Sequence, residues 1–128
     1  MSAEDIAILA LTCWRENRGG GYAGMQSVAN VVTNRVKQRK TSLYAECTRK
    51  WQFSSITAES DPQLDLWPSE NDPQWIQALQ IAQQAADGIL PDITLGATSY
   101  YATSMTTPPA WAAQMTYTVT IEGQKFYK

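Results

Sequence analysis

The sequence contains no histidine. That absence removes Ser-His-Asp and Cys-His catalysis in their usual forms. It also removes the common zinc sites, since two scattered cysteines plus carboxylates make a poor tetrahedral ligand set. Acid–base chemistry near neutral pH must then fall to a carboxyl group that holds its proton, or to Tyr, Lys or Cys. Cysteine is scarce as well: Cys13 and Cys47 are the only two, neither stands in a CxxC, and both are expected as buried free thiols. No stretch approaches the ~20 apolar residues of a membrane span. Charge is sparse, with 17% charged residues and a net charge of −2, so no general pull toward nucleic acid or anionic lipid exists. The basic run Arg35, Lys37, Arg39, Lys40 reads as the solvated end of a helix. The opening Met1-Ser2-Ala3-Glu4-Asp5 lacks the basic start of a secretory signal, so synthesis in the cytoplasm without a visible export address is expected. No metal and no other cofactor is expected, and the chain is expected to be a monomer.

Against these absences stand 44% hydrophobic residues in 128, enough for one core and one domain spanning 1–128. Ser2 with Asp5 three residues later has the form of a capping box, and the helix it opens is expected over about 3–17. Ile6, Leu9, Ala10 and Cys13 share one face of it; Ile8, Leu11 and Trp14 make it apolar nearly all round, which suits a buried central helix. Gly19-Gly20-Gly21 ends it. A second helix is expected from about Ala23 to Arg39, with Met25, Val28, Ala29, Val32 and Val36 inward. The stretch 41–72 is irregular, and Pro62 and Pro68 exclude a long helix there. Asp72-Pro73 opens a third helix, with Ile76, Leu79, Ala82 and Ala86 as its expected inner face and Gly88 as its stop. Ala97–Tyr101 reads as a strand. Tyr117, Val119 and Ile121 alternate before a Glu122-Gly123 turn into Lys125-Phe126-Tyr127. The fold class is α+β, mainly helical, with a small C-terminal β-sheet or hairpin.

Glu16 is the carboxylate of greatest interest. It lies on or beside the apolar face of the first helix and in its last turn, where burial and the helix dipole both disfavour the ionised form. A carboxylic acid that keeps its proton is what glycosidic bond cleavage needs to protonate the leaving oxygen. The other reading is a salt bridge to Arg15, Arg18 or Arg35, which would favour the carboxylate.

The segment Leu11-Thr12-Cys13-Trp14-Arg15-Glu16-Asn17-Arg18-Gly19, followed by Tyr22, Gly24, Val28-Ala29, Val31-Val32 and Asn34-Arg35-Val36, resembles the opening of the SleB-like cell-wall hydrolase family. Trp51-Gln52-Phe53-Ser54 resembles that family's Gln-Phe-Ser segment and Ala97–Tyr101 its Ala-x-x-Tyr-Phe strand. Pro109-Ala110-Trp111 resembles its Pro-x-Trp element, and Ile121–Tyr127 its closing hairpin. Each motif alone is weak; five in order are not. The resemblance implies a lysozyme-like domain that acts on the N-acetylmuramic acid–N-acetylglucosamine strands of peptidoglycan, with Glu16 as its catalytic glutamate. Four positions depart from the pattern: Arg15 stands for a usual Gly, Asn17 for Ala, Gly20 for a second Glu, and Gln124 for His.

A glycan cleft needs flat apolar faces and hydrogen-bonding groups, and Trp51, Gln52, Phe53, Ser54, Tyr100, Tyr101 and Trp111 can supply both. Gln52 is expected as a direct contact. Of the two strand tyrosines, Tyr101 is expected to face the cleft and Tyr100 to pack inward. Hydrolysis would require a second carboxylate, with Glu46, Glu59, Asp61 and Asp65 as loop candidates. A lytic transglycosylase needs only one, and that route agrees better with the sequence. The alternatives are a muramidase on the same bond, or a catalytically inactive glycan-binding or structural module. Action on the cell wall or in the periplasm is expected, and a compact catalytic domain of this kind is compatible with a phage endolysin, a bacterial remodelling enzyme or an excised domain.

Overall fold

Ser2 does cap the first helix. In the computed structural model, which describes residues 2–50 and 52–128, α1 spans Ala3–Asn17. The Ser2 hydroxyl accepts from the Asp5 backbone N–H at 3.1 Å, and the Asp5 carboxylate accepts from the Ser2 N–H at 3.2 Å. A 3₁₀ turn over Arg18–Gly20 leads into α2, Gly21–Arg39. The reversal is tight: Gly21 has φ of +67°, and a Cβ on Gly24 would lie 3.1 Å from the Asn17 carbonyl oxygen, so both positions call for glycine.

The third long helix is α5, Pro73–Ala86, capped by Asp72, whose carboxylate accepts from the N–H groups of Gln74 and Trp75. Leu9, Ala10, Cys13 and Trp14 of α1, Met25, Val28, Ala29 and Val32 of α2, and Ala78, Ile81, Ala82 and Ala85 of α5 make the main core. The expected inner face of α5 is corrected here, because Ile76 and Leu79 are 46% and 37% exposed. Three alanines let α5 approach α1 and α2 closely, and a close-packed seam of small residues around Ile81 turns the bulkier side chains outward.

Between α2 and α5 the chain is irregular, as its prolines suggest, and its described residues include the short helices α3, Leu43–Cys47, and α4, Ser54–Thr57. A 3₁₀ turn follows at Pro62–Asp65. Leu43, Cys47 and Phe53 anchor this segment in the main core, and polar contacts hold the rest of it. Glu46 is fully buried and pairs with Arg39 at 2.6 Å and Arg49 at 3.1 Å, and the Thr41 hydroxyl donates to it. Burial alone would raise its carboxyl, but the hydrogen bonds from Arg49, Thr41 and Arg39 win and hold it at about 2. Arg15, also buried, donates to the carbonyl oxygens of Ser55 at 3.0 Å, Leu66 at 3.2 Å and Leu64 at 3.4 Å, and its guanidinium lies 4.6 Å from the Trp67 ring centre.

Three strands close the fold: β1 (Ser99–Ala102), β2 (Tyr117–Ile121) and β3 (Gln124–Tyr127), antiparallel in the order β1-β3-β2. Glu122 and Gly123, at φ of +43° and +78°, form the two-residue hairpin turn whose twist matches its strands. One sheet face buries Phe126 with Val31 and Ala97, flanked by Tyr100, Val119 and Ile121. Cys13 and Cys47 are free and buried, and burial pushes both thiols up, Cys47 to about 12, so neither is a nucleophile. Among the described residues, no helix is long and apolar enough to cross a membrane.

Candidate active site

Glu16 sits at the C-terminal end of α1, half-buried, where three parts of the chain converge. Its Oε2 accepts from the Ser55 hydroxyl at 2.6 Å and its Oε1 from the Tyr100 hydroxyl at 2.7 Å. Ser55 arrives on α4 and Tyr100 on β1, 39 and 84 residues away in sequence. Burial, reinforced by the adjacent Glu16 charge, pushes the Tyr100 phenol well above its ordinary value, so it remains a donor throughout the useful pH range. The arginines do not pair with Glu16. Arg15 is spent on loop carbonyls, and Arg18 donates to the Trp14 carbonyl oxygen and to Gln63. Arg35 donates to the Thr98 carbonyl oxygen at 2.7 Å.

These groups open onto a cleft of about 590 Å³ lined by Glu16, Arg35, Gln52, Phe53, Tyr100 and Trp111, with Gln38, Arg39, Thr98, Ser99 and Met115 around them. Gln52, Phe53 and Trp111 are therefore brought to Glu16. The expectation for the two tyrosines is reversed: Tyr100 reaches the carboxylate, and Tyr101 turns to the other side of the sheet, where its hydroxyl meets that of Tyr127 at 3.2 Å. Strand alternation forces the choice, and the inward position is the one that faces α1. Ser54 also lies apart, because its hydroxyl donates to Asp61 at 2.6 Å and it lines a separate hollow with Thr57 and Glu59. Its neighbour Ser55 is the one that matters, and the sequence reading missed it. The usable signal was its place directly after the Gln-Phe-Ser segment, on the opposite side of a short helix. Trp51 lies outside the described residues.

The basic run at the end of α2 is corrected too. Arg35 is 6% exposed, with its guanidinium 5.5 Å from the Phe53 ring centre, and its Nη1 is buried with no hydrogen-bond partner. Arg39 pairs with Glu46 yet stays exposed, so Lys37, Arg39 and Lys40 keep to the solvated face and Arg35 alone is drawn in. The loop carboxylates stay out of the cleft. Glu46 is engaged by its arginines, Asp61 accepts from Ser54 and the Gln63 N–H, and neither Glu59 nor Asp65 lines the cleft.

A sequence profile of the cell wall hydrolases matches residues 19–127. The chain belongs to the cell wall hydrolase family. With membership comes the activity class, cleavage of glycosidic bonds in peptidoglycan. Among solved structures it is similar to the catalytic domain of the germination-specific lytic transglycosylase SleB from Bacillus anthracis, at 25% identity and a TM-score of 0.76. That match covers 100% of this chain and 97% of that one. The catalytic domain of the Bacillus cereus SleB protein is similar at 26% identity and a TM-score of 0.76, covering 100% of this chain and 92% of that one. No curated protein sequence matches the chain. Glu16 lies just ahead of the profile's span but within the structural matches.

In this cell wall hydrolase the departures around Glu16 fit one another. A Cβ on Gly20 would lie 2.8 Å from the Asn17 side-chain oxygen, so the smallest residue at 20 leaves room for the larger one at 17. Arg15, in place of a glycine, becomes the anchor of the loop that carries Ser55. Gln124 sits in β3 opposite Ala102 and Ile121, at the hairpin end and outside the cleft lining.

Proposed function

We propose that the chain is a lytic transglycosylase that cuts the N-acetylmuramic acid–N-acetylglucosamine bond, with Glu16 as both acid and base. The observation that carries this reading is that Glu16 is the one carboxylate among the cleft's lining residues. Protonated Glu16 delivers its proton to the glycosidic oxygen as the bond from that oxygen to the muramoyl C1 breaks. The carboxylate it becomes is met by two donors already in place, Ser55 and Tyr100, so no reorganisation accompanies the new charge. It then takes the proton of the muramoyl 6-hydroxyl as O6 closes on C1. The products are a 1,6-anhydro end and a free N-acetylglucosamine 4-hydroxyl; Glu16 is protonated again, and no water is consumed.

Trp111 offers an apolar face to the sugars, and the Gln52 amide supplies hydrogen bonds for hydroxyl or N-acetyl groups. Phe53, only 2% exposed, backs the cleft from the core and has no free face for a sugar. Hydrolysis by a muramidase would need a partner carboxylate ~5–9.5 Å from the acid, and the four loop candidates are occupied or directed elsewhere. Mass spectrometry of digested sacculi separates the two chemistries. Anhydro ends, lighter by one water than reducing ends, are expected as the dominant product; reducing ends alone would make the enzyme a muramidase. The site of action in this reading is the cell wall.

A further inference from the structure

The sheet face opposite Tyr100 carries three tyrosines where polar residues would ordinarily meet solvent. Tyr101 stacks on Tyr127 with ring centres 5.6 Å apart, and Tyr117 meets Tyr127 edge-on at 5.8 Å. Trp111, from the 3₁₀ turn Ala110–Gln114, closes on the same group at 5.9 Å from Tyr101 and 5.5 Å from Tyr127. The four rings are graded in exposure: Tyr101 is the buried base, Trp111 and Tyr127 are half-buried, and Tyr117 is 50% exposed. Tyr101 and Tyr127 are fixed by the contact between their hydroxyls, and the Tyr117 hydroxyl by Thr120 at 2.8 Å. A cluster of this kind presents pre-ordered ring faces with little entropy left to lose on binding.

Its position identifies the occupant. Trp111 belongs both to this cluster and to the lining of the Glu16 cleft, so a strand leaving the cleft past Trp111 would meet Tyr127 and then Tyr117. Each step between ring centres is comparable to the length of one pyranose. Lys125, paired with Tyr101 across the β1–β3 ladder, adds a positive charge on the same face for the carboxylates of peptide-bearing muramoyl groups.

We propose that Trp111, Tyr127 and Tyr117 form a glycan-stacking platform outside the cleft that grips the strand beyond the cleaved bond and makes the enzyme favour long strands. The proposal rests on the cleft being where the strand is cut. Two measurements test it separately from that reading. The first is the ratio of turnover on intact sacculi to turnover on a defined tetrasaccharide of alternating N-acetylglucosamine and N-acetylmuramic acid. Tyr117→Ala and Tyr117→Leu should each lower this ratio about three- to tenfold, while Tyr117→Trp should hold it within about twofold. Leucine supplies apolar bulk for packing but no ring face, so a packing role would be satisfied by leucine and a stacking role would not. The second is co-sedimentation of the Glu16→Gln protein with insoluble sacculi, with and without Tyr117→Leu, after thermal melts have established folding. Loss of pelleting with Tyr117→Leu supports the platform even if turnover is absent on every substrate, which would sink only the catalytic reading. An unchanged ratio in both Tyr117→Ala and Tyr117→Leu, together with unchanged pelleting, overturns the platform and leaves the role of Glu16 standing.

Discussion

Glu16 and Glu46 are two glutamates withdrawn from solvent in one small fold, and their partners differ in charge. Glu46 is met by two guanidinium groups and a hydroxyl, which hold its carboxyl at about 2 despite full burial. Glu16 is met by two neutral hydroxyls, while Arg15, Arg18 and Arg35 each donate to backbone carbonyls. A cationic partner locks a carboxylate in its charged form; hydroxyl donors orient it without bringing a countercharge. The first arrangement suits holding a loop, the second suits acid–base turnover.

Exchanging either glutamate for its amide should break this contrast most visibly. Glu16→Gln is nearly isosteric; its amide oxygen still accepts from one of the two hydroxyls and its NH2 can donate to the oxygen of the other, so the thermal midpoint should stay within a few degrees. Peptidoglycan cleavage should fall at least ~10²–10⁴-fold, the usual worth of general acid catalysis. Activity within tenfold of the original would take Glu16 out of the mechanism.

Glu46→Gln should do the opposite and cost stability. Breaking a buried pair typically costs ~3–5 kcal/mol. Because Arg39 and Arg49 are 37% and 41% exposed, solvent screening brings the expectation to about 2–3 kcal/mol in urea unfolding. The sign with pH follows from the depressed carboxyl. Its stabilisation is complete above the ordinary value of 4.5 and is lost as pH falls toward about 2. The original chain should therefore lose stability across that window more steeply than Glu46→Gln, and parallel curves would show that the pair contributes nothing.

Tyr100→Phe sharpens the comparison from the side of the donors. Removing one hydrogen bond to a developing carboxylate is worth ~1.5–3 kcal/mol, or about 10–100-fold in kcat. An unchanged kcat would mean that Tyr100 only packs.

Arg15→Met removes the donors to Ser55, Leu64 and Leu66 but keeps much of the side-chain volume. A loss of about 1–2 kcal/mol is expected, with earlier proteolytic cleavage inside 54–67 than in the unaltered protein. Identical proteolysis would show that the loop holds without its anchor. The smallest expected effect is none: excess EDTA should leave turnover unchanged, since the chain has no histidine and, among the described residues, no three Cys, Asp or Glu side chains gather as a metal site. Inactivation reversed by a divalent ion would contradict it.

Local signals carried much of the fold. The Ser2–Asp5 box, the Asp72-Pro73 start and the Glu122-Gly123 turn act within four residues, and their energetics are complete in a short peptide. Apolar periodicity likewise placed α1 and α2 and their buried faces. It failed on α5, where hydrophobicity pointed to Ile76 and Leu79 but close approach favoured alanine. The reading of the basic run of α2 as solvated failed at Arg35, because the Thr98 carbonyl that draws it inward lies 63 residues away, just ahead of β1. The motif resemblance brought Glu16, Gln52, Phe53 and Trp111 to notice, but could not say which of two adjacent serines or two adjacent tyrosines would turn toward Glu16.

What the sequence by itself determined is therefore the set of elements, the absence of histidine chemistry and the identity of the one carboxylate at the end of an apolar helix. Each of these depends on residues close together in the chain, or on composition alone. The tertiary structure alone decided that Ser55 rather than Ser54, and Tyr100 rather than Tyr101, hold that carboxylate, and that no arginine neutralises it. Those choices depend on how α4 and β1 are rotated when they dock against α1. Rotation is set by packing and hydrogen bonds summed over the whole core, and a period-two strand or a single helical turn presents either neighbour equally well until that docking is made.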